Sequence, residues 1–172
     1  FRFVADNWLV GAYALHLSED LDRADTGDYY DPFYDFADTL DYAFASEFES
    51  TNVAFFGQAD WALGERTRLS AGIRLEHRTT DYSDTDGIDE DPSETMWGGE
   101  ISLQRDVSAD VLTYMTLSRG YKAGGFNLGP VPAGFREFGN EILWTLEGGI
   151  KSVLADGRLR LNLAAFFSQR ED

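Results

Sequence analysis

The sequence predicts an all-β protein, an antiparallel meander of about seven strands that forms part of a large transmembrane β-barrel. Three observations point there: segments in which apolar and polar side chains alternate, connections that alternate between short and long, and strand lengths matched to a bilayer. Successive side chains on a strand point to opposite faces, so a period of two marks a sheet with one greasy side and one wet side.

The first extended segment, about Trp8 to Leu17, alternates poorly and receives no register. The second, 52–63, is the clearest: Val53, Phe55, Gly57, Ala59, Trp61 and Leu63 oppose Asn52, Gln58 and Asp60. In the third, Leu69, Ala71, Ile73, Leu75 and His77 oppose Ser70, Arg74, Glu76 and Arg78. The fourth sets Trp97, Gly99, Ile101 and Leu103 against Glu100, Ser102 and Gln104, and the fifth sets Val111, Thr113, Met115 and Leu117 against Tyr114, Thr116 and Ser118. In the sixth, Ile142, Trp144, Leu146, Gly148 and Ile150 oppose Thr145, Glu147 and Lys151; in the seventh, Leu159, Leu161, Leu163, Ala165 and Phe167 oppose Arg160, Asn162 and Ser168. No Asp, Glu, Lys or Arg stands on any of these six apolar faces, although 26% of the chain is charged, so the segregation is by face.

Tight turns are expected at 63–67, 106–110 and 154–158, each with Gly or Asp where the chain must reverse. The connections at about 18–50, 80–95 and 121–140 are long, acidic and rich in Asp, Gly and Pro. Short turns on one side and long loops on the other match an outer-membrane barrel, with turns in the periplasm and loops outside.

A soluble antiparallel sandwich also alternates, but its strands are usually about five or six residues long, against about ten for a tilted membrane strand. Trp61, Phe55, Trp97, Trp144 and Phe167 lie near strand ends on the apolar faces, where amphipathic rings meet a membrane interface. An open sheet edge in lipid leaves backbone groups unsatisfied, so seven strands imply a closed set with strands missing on both sides. Residues 1–172 are accordingly expected to be a partial outer-membrane barrel.

Composition removes other classes. A net charge of −17 repels phosphate backbones, so no nucleic-acid partner is expected. There are no cysteines, which excludes disulfide scaffolds and thiolate chemistry. No apolar run approaches the ~20 residues of a membrane-spanning helix. His16 and His77 are the two histidines, no nucleophile or phosphate loop is visible, and neither an enzyme nor a cofactor is expected.

Two regions invite a ligand. Between Glu19 and Glu49, acidic residues are interleaved with Tyr29, Tyr30, Phe33, Tyr34, Phe36 and Tyr42. This is either a ligand-catching surface of stacking rings or a solvated outer loop. Acidic oxygens at Asp84, Asp86, Asp89, Glu90 and Asp91 suit Ca²⁺ chemically, but the spacing lacks the EF-hand pattern and no metal site is assigned.

The stretch from Tyr114 to Lys151 resembles the barrel domain of TonB-dependent outer-membrane receptors. Arg119-Gly120-Tyr121-Lys122-Ala123-Gly124-Gly125-Phe126-Asn127 fits that family's motif after a strand. Glu141, the run Glu147-Gly148-Gly149-Ile150-Lys151, the turn Asp156-Gly157-Arg158-Leu159 and the aromatic strand end at Phe166 and Phe167 follow the same pattern. The resemblance implies a barrel of about 22 strands around a plug domain. It also implies a Gram-negative outer-membrane location, lipid around the barrel, and siderophore or iron uptake powered through the plug by the TonB complex. Under it, Tyr29, Tyr30, Phe33, Tyr34, Arg119, Tyr121 and Lys122 are the candidate contacts for a small ligand such as a metal chelate, with Arg119 and Lys122 near the lumen mouth. Gly120, Gly124 and Gly125 are expected to supply dihedrals closed to other residues as the chain leaves the strand. A passive porin-like channel and a soluble acidic β-sandwich binding module are the alternatives.

Overall fold

Residues 1–33, 35–127, 131 and 133–172 are described by the structure, a computed structural model, which leaves the side chains at 29, 40 and 133 aside. In chain order the elements are β1 (Arg2–Val4), β2 (Trp8–Asp31), β3 (Phe36–Ala62), β4 (Thr67–Asp84), β5 (Asp89–Glu90), β6 (Ser93–Ser108), β7 (Val111–Lys122) and β8 (Gly125–Phe126). A 3₁₀ turn (Ala133–Phe135), β9 (Glu137–Phe138), β10 (Glu141–Leu154) and β11 (Leu159–Glu171) complete the chain.

Nine strands form one antiparallel meander in the order β1-β2-β3-β4-β6-β7-β10-β11, with β5 beside β4, and β8 and β9 form a separate pair. The seven long strands are the seven expected segments. The sheet counts two more because β1 and β5, of three and two residues, are too short to show a period.

Strand length and loop extent depart from expectation. β2 has 24 residues, β3 27 and β4 18, so most of the stretch 18–50 is hairpin rather than loop. The stretch 80–95 is likewise taken up largely by the end of β4, β5 and the start of β6, and 121–140 holds β8, the 3₁₀ turn and β9. Backbone groups need partners whatever surrounds the side chains, so ladder pairing continues past the point where the exposed face stops being apolar. All three tight turns occur where expected, after Ala62, Ser108 and Leu154. In the last, Ala155, Asp156 and Gly157 all take positive φ (53°, 55° and 86°), which reverses the chain.

The predicted faces are the observed faces. In one cross-strand row Ile101 pairs with Leu117, Leu117 with Leu146, and Leu146 with Phe167. A second row aligns Thr113 with Ile150 and Ile150 with Leu163. A bulge between Asp106 and Ser108 breaks the β6–β7 register beside the turn.

The chain divides into two units: Phe1–Tyr13, Val53–His77 and Thr95–Asp172 in the first, Ala14–Asn52 and Arg78–Glu94 in the second. In the first unit the usual order of burial is inverted. Phe55, Ile73, Leu103, Met115 and Leu163 are exposed, whereas Ser70, Glu76, Ser102 and Ser152 are each under 10% exposed. Ala54 and Met96 are the apolar residues buried with them, whereas serine and glutamate are residue types mostly found exposed. The second unit has a small core of its own, with Phe44 and Tyr82 buried beside Ser46, Ser50 and Thr80. There Arg78 donates to Ser50 (3.0 Å), pairs with Glu94 (3.7 Å) and stacks over Phe48 (5.8 Å).

Charge is divided as unevenly as burial. Eighteen of the 31 acidic residues fall in the second unit, where Arg23 and Arg78 are the basic residues. The first unit is nearly neutral, so almost all of the net −17 belongs to the second.

Candidate functional site

On the polar face of the first unit, β4 presents Arg74 and Glu76 two residues apart and therefore on one side. Arg74 Nη2 donates to Glu76 Oε2 at 2.7 Å and Arg74 Nε at 2.9 Å, while the guanidinium also stacks over Tyr13 (5.3 Å). From β7 the Tyr121 hydroxyl donates to the same Glu76 oxygen at 2.7 Å and accepts from Arg74 Nε at 3.0 Å. The strand between them, β6, carries Gly98, and a Cβ there would stand 3.1 Å from the Tyr121 ring. The glycine is the gap through which the tyrosine reaches. Gly57, Gly72, Gly98, Gly99 and Gly120 line a groove of about 550 Å³ beside this network.

A second polar cluster ties β7 to β10. Tyr114 lies over Gly149, where a Cβ would be 2.5 Å from the ring; its hydroxyl donates to Glu147 at 2.5 Å, and Lys151 Nζ sits 5.2 Å from the ring centre. Glu147, Gly149 and Lys151 of the motif thus form one assembly, completed by a tyrosine the sequence offered no reason to choose.

The remaining predicted site residues are dispersed. Lys122 pairs with Glu141 at 3.6 Å and stacks over Phe138; Arg170 joins Glu141 at 3.3 Å. Arg170 also donates to Asp172 at 2.7 Å and holds that carboxyl below the ordinary carboxylate range. Arg119, expected near a lumen mouth with Lys122, lies on the apolar face, its guanidinium 4.1 Å from the Trp97 ring centre and 5.9 Å from that of Trp144, donating to the Trp97 carbonyl. Arg119 lies with Met115 and Leu117, whereas Tyr121, of the same parity, reaches Glu76 on the polar face, so alternation alone does not sort the end of β7.

The motif glycines work by close approach. Gly120, Gly124 and Gly125 are absent from the positive-φ residues, correcting the dihedral expectation. A Cβ on Gly124 would meet the Phe138 carbonyl oxygen at 2.6 Å, and one on Gly125 the Phe138 ring at 2.9 Å. These contacts come from the β8–β9 pairing of Gly125 with Phe138 and Phe126 with Glu137. Asn127 closes the excursion, its side chain donating to the Phe135 carbonyl (2.8 Å) and its backbone amide to that of Arg136 (2.7 Å).

In the second unit, Tyr30 is exposed and donates to Asp35 at 2.9 Å, and Phe33 and Phe36 are exposed. Tyr34 lies outside the described residues, as does the side chain of Tyr29. Tyr42 stacks on Phe44 and donates to Asp86 at 3.1 Å. Asp84 accepts from the Tyr82 hydroxyl and from the backbone amides of Asp86 and Ile88, so its oxygens organise a loop. Among the described residues no group of three or more acidic or histidine side chains is arranged to hold a metal ion. Each histidine bonds a threonine: His16 with Thr51 (3.0 Å) and His77 with Thr95 (2.9 Å).

Solved structures share this fold. The ferric yersiniabactin uptake receptor FyuA from Yersinia pestis matches 95% of this chain with 26% of its own, at 20% identity and a TM-score of 0.75. The ferric-catecholate import receptor Fiu from Escherichia coli K12 matches 99% of this chain with 30% of its own (13% identity, TM-score 0.63). The alcaligin outer-membrane receptor FauA from Bordetella pertussis matches 95% with 30% (14% identity, TM-score 0.54). The chain therefore spans 26–30% of the length of these receptors. The family model described as TonB dependent receptor-like, beta-barrel, matches residues 1–172. With its inverted burial, its meander of long strands and its glycine-rich motif, the chain belongs to the TonB-dependent receptor β-barrel family.

Proposed function

We propose that residues 1–172 are one stretch of the wall of a plugged outer-membrane barrel that imports a scarce ligand, a metal chelate such as a ferric siderophore. Energy would come from the TonB complex through the plug domain. The observation that carries this reading is the exposure of the apolar face and burial of the polar one. Hydrocarbon, not water, is the solvent that suits exposed Phe55, Ile73 and Leu163.

β3 supports a membrane boundary within a single strand. Its odd positions are acidic at Asp41, Glu47 and Glu49 in the second unit and apolar at Val53, Phe55 and Trp61 in the first. On this reading the exposed rings of Tyr30 and Phe33 in the second unit are candidate ligand contacts that stack on a planar chelate, and Tyr121 and Lys122 of the first unit are separate candidates.

The test is uptake. The full-length receptor, expressed in cells lacking their own iron receptors, is expected to take up radiolabelled ferric chelate only while TonB and the proton gradient are intact. Uptake that persists without TonB would instead identify a passive channel.

A further inference from the structure

We propose that Arg119, held between Trp97 and Trp144, seats the phosphate of an anionic lipid headgroup at the outer rim of the membrane-facing surface. This rests on the membrane reading above and adds a lipid site to it.

Arg119 pairs across the sheet with Gly99 on one side and Trp144 on the other, which puts it on the exposed apolar face. The next residues on that face toward the turns are Ile101, Leu117 and Leu146, all exposed aliphatics. Beyond Trp97 on the same face of β6 comes Thr95, which bonds His77. Arg119 thus stands in the row of Trp144 and Gln169, between the exposed aliphatics and the polar pair Thr95 and His77. The indole in that row and the one two residues beyond it on β6 favour the headgroup level and hold the cation with them.

The guanidinium has five N–H donors. One Nη1 hydrogen is spent on the Trp97 carbonyl, and among the described residues no carboxylate lies within ion-pair distance of Arg119. That distinguishes it from Arg74, Arg78 and Arg170, each paired with an acid. A guanidinium facing lipid without an anion is costly, and its planar fork fits phosphate oxygens bidentately. The first unit is nearly neutral, so the phosphate meets no strong repulsion there. The neighbouring aliphatics offer acyl chains a surface that a free phosphate would not use. Charge and greasy surface together select a lipid.

The test uses the full-length receptor in nanodiscs of phosphatidylcholine doped with phosphatidylglycerol, followed by native mass spectrometry of the lipids retained on release. The wild type is expected to keep one phosphatidylglycerol with about fivefold preference over phosphatidylcholine. Arg119→Gln should lose that preference and Arg119→Lys retain part of it, both with wild-type heat-dependent gel mobility as the measure of folding. Equal retention by wild type and folded Arg119→Gln overturns the proposal. So does displacement by inorganic phosphate at the concentration of the lipid, which would leave an anion site without lipid selectivity. A receptor that enters no nanodisc in any variant defeats the membrane reading itself, a result separable from the loss of one lipid.

Discussion

The Tyr121 hydroxyl on β7 donates to Glu76 on β4 at 2.7 Å, across a strand that separates them. Ladder hydrogen bonds join each strand only to its neighbours, so this contact fastens three strands at once. It exists because Gly98 leaves the intervening strand bare under the ring. Tyr121→Phe removes a hydrogen bond to a carboxylate that is 8% exposed, and unfolding of the full-length receptor from lipid vesicles in urea should show a loss of about 1–3 kcal/mol. Gly98→Val should cost more. Adding Tyr121→Ala should restore only part of the loss, because the new Cβ also stands 3.0 Å from the Arg119 backbone oxygen.

Gly149 gives the contrasting case. The atoms nearest a Cβ at that position all belong to the Tyr114 ring, so Gly149→Ala should destabilise by about 1–3 kcal/mol through overpacking. Pairing it with Tyr114→Ser should recover most of that cost, making the two changes strongly non-additive. A double mutant no better than the sum of its parts would place the strain in the backbone of β10 rather than under the ring.

A like-for-like comparison of faces tests the membrane assignment residue by residue. Ile101 is exposed on the apolar face and Gln104 lies on the other, three residues along the same strand. Ile101→Lys should lower stability in vesicles by about 2–4 kcal/mol if it sits near the bilayer midplane. Gln104→Lys should change it by no more than about 0.5 kcal/mol. Equal effects at the two positions would mean that both faces see water.

Much of the fold was legible because a sheet with one greasy and one wet face imposes period two directly on the sequence. The row Ile101–Leu117–Leu146–Phe167 could be read one strand at a time, before any pairing was known. The outer hairpins were harder to see. In β3 the stretch 41–50 does alternate, Tyr42, Phe44, Ser46 and Phe48 against Asp41, Glu47 and Glu49, but there the outward face is acidic rather than greasy. A search tuned to lipid-facing apolar residues reads it as loop. The polar networks carried less signal still. Tyr121 to Glu76 spans 45 residues and a strand, and only the adjoining glycine hints at it. Arg119 differs again: its charge suggested the polar face, while its guanidinium stacks on Trp97 on the apolar one.

The uneven charge yields the final prediction. With eighteen acids against two basic residues in the second unit, the field there favours cations and opposes anions. Asp20, Asp22, Glu47 and Asp84 line one shallow hollow and supply part of that field. If ligand enters past this unit, capture of a cationic chelate should slow several-fold as NaCl rises from about 0.05 to 0.3 M, because the screening length shrinks below the span of the hairpins. Capture of a polyanionic chelate should accelerate over the same range. Replacing Asp20, Asp22 and Glu47 by their amides should flatten both dependences while leaving stability nearly unchanged, since all three acids are exposed. Stopped-flow quenching of a fluorescent chelate measures the rates. Identical salt profiles for cationic and anionic ligands would show that the acidic hairpins stand away from the entry path.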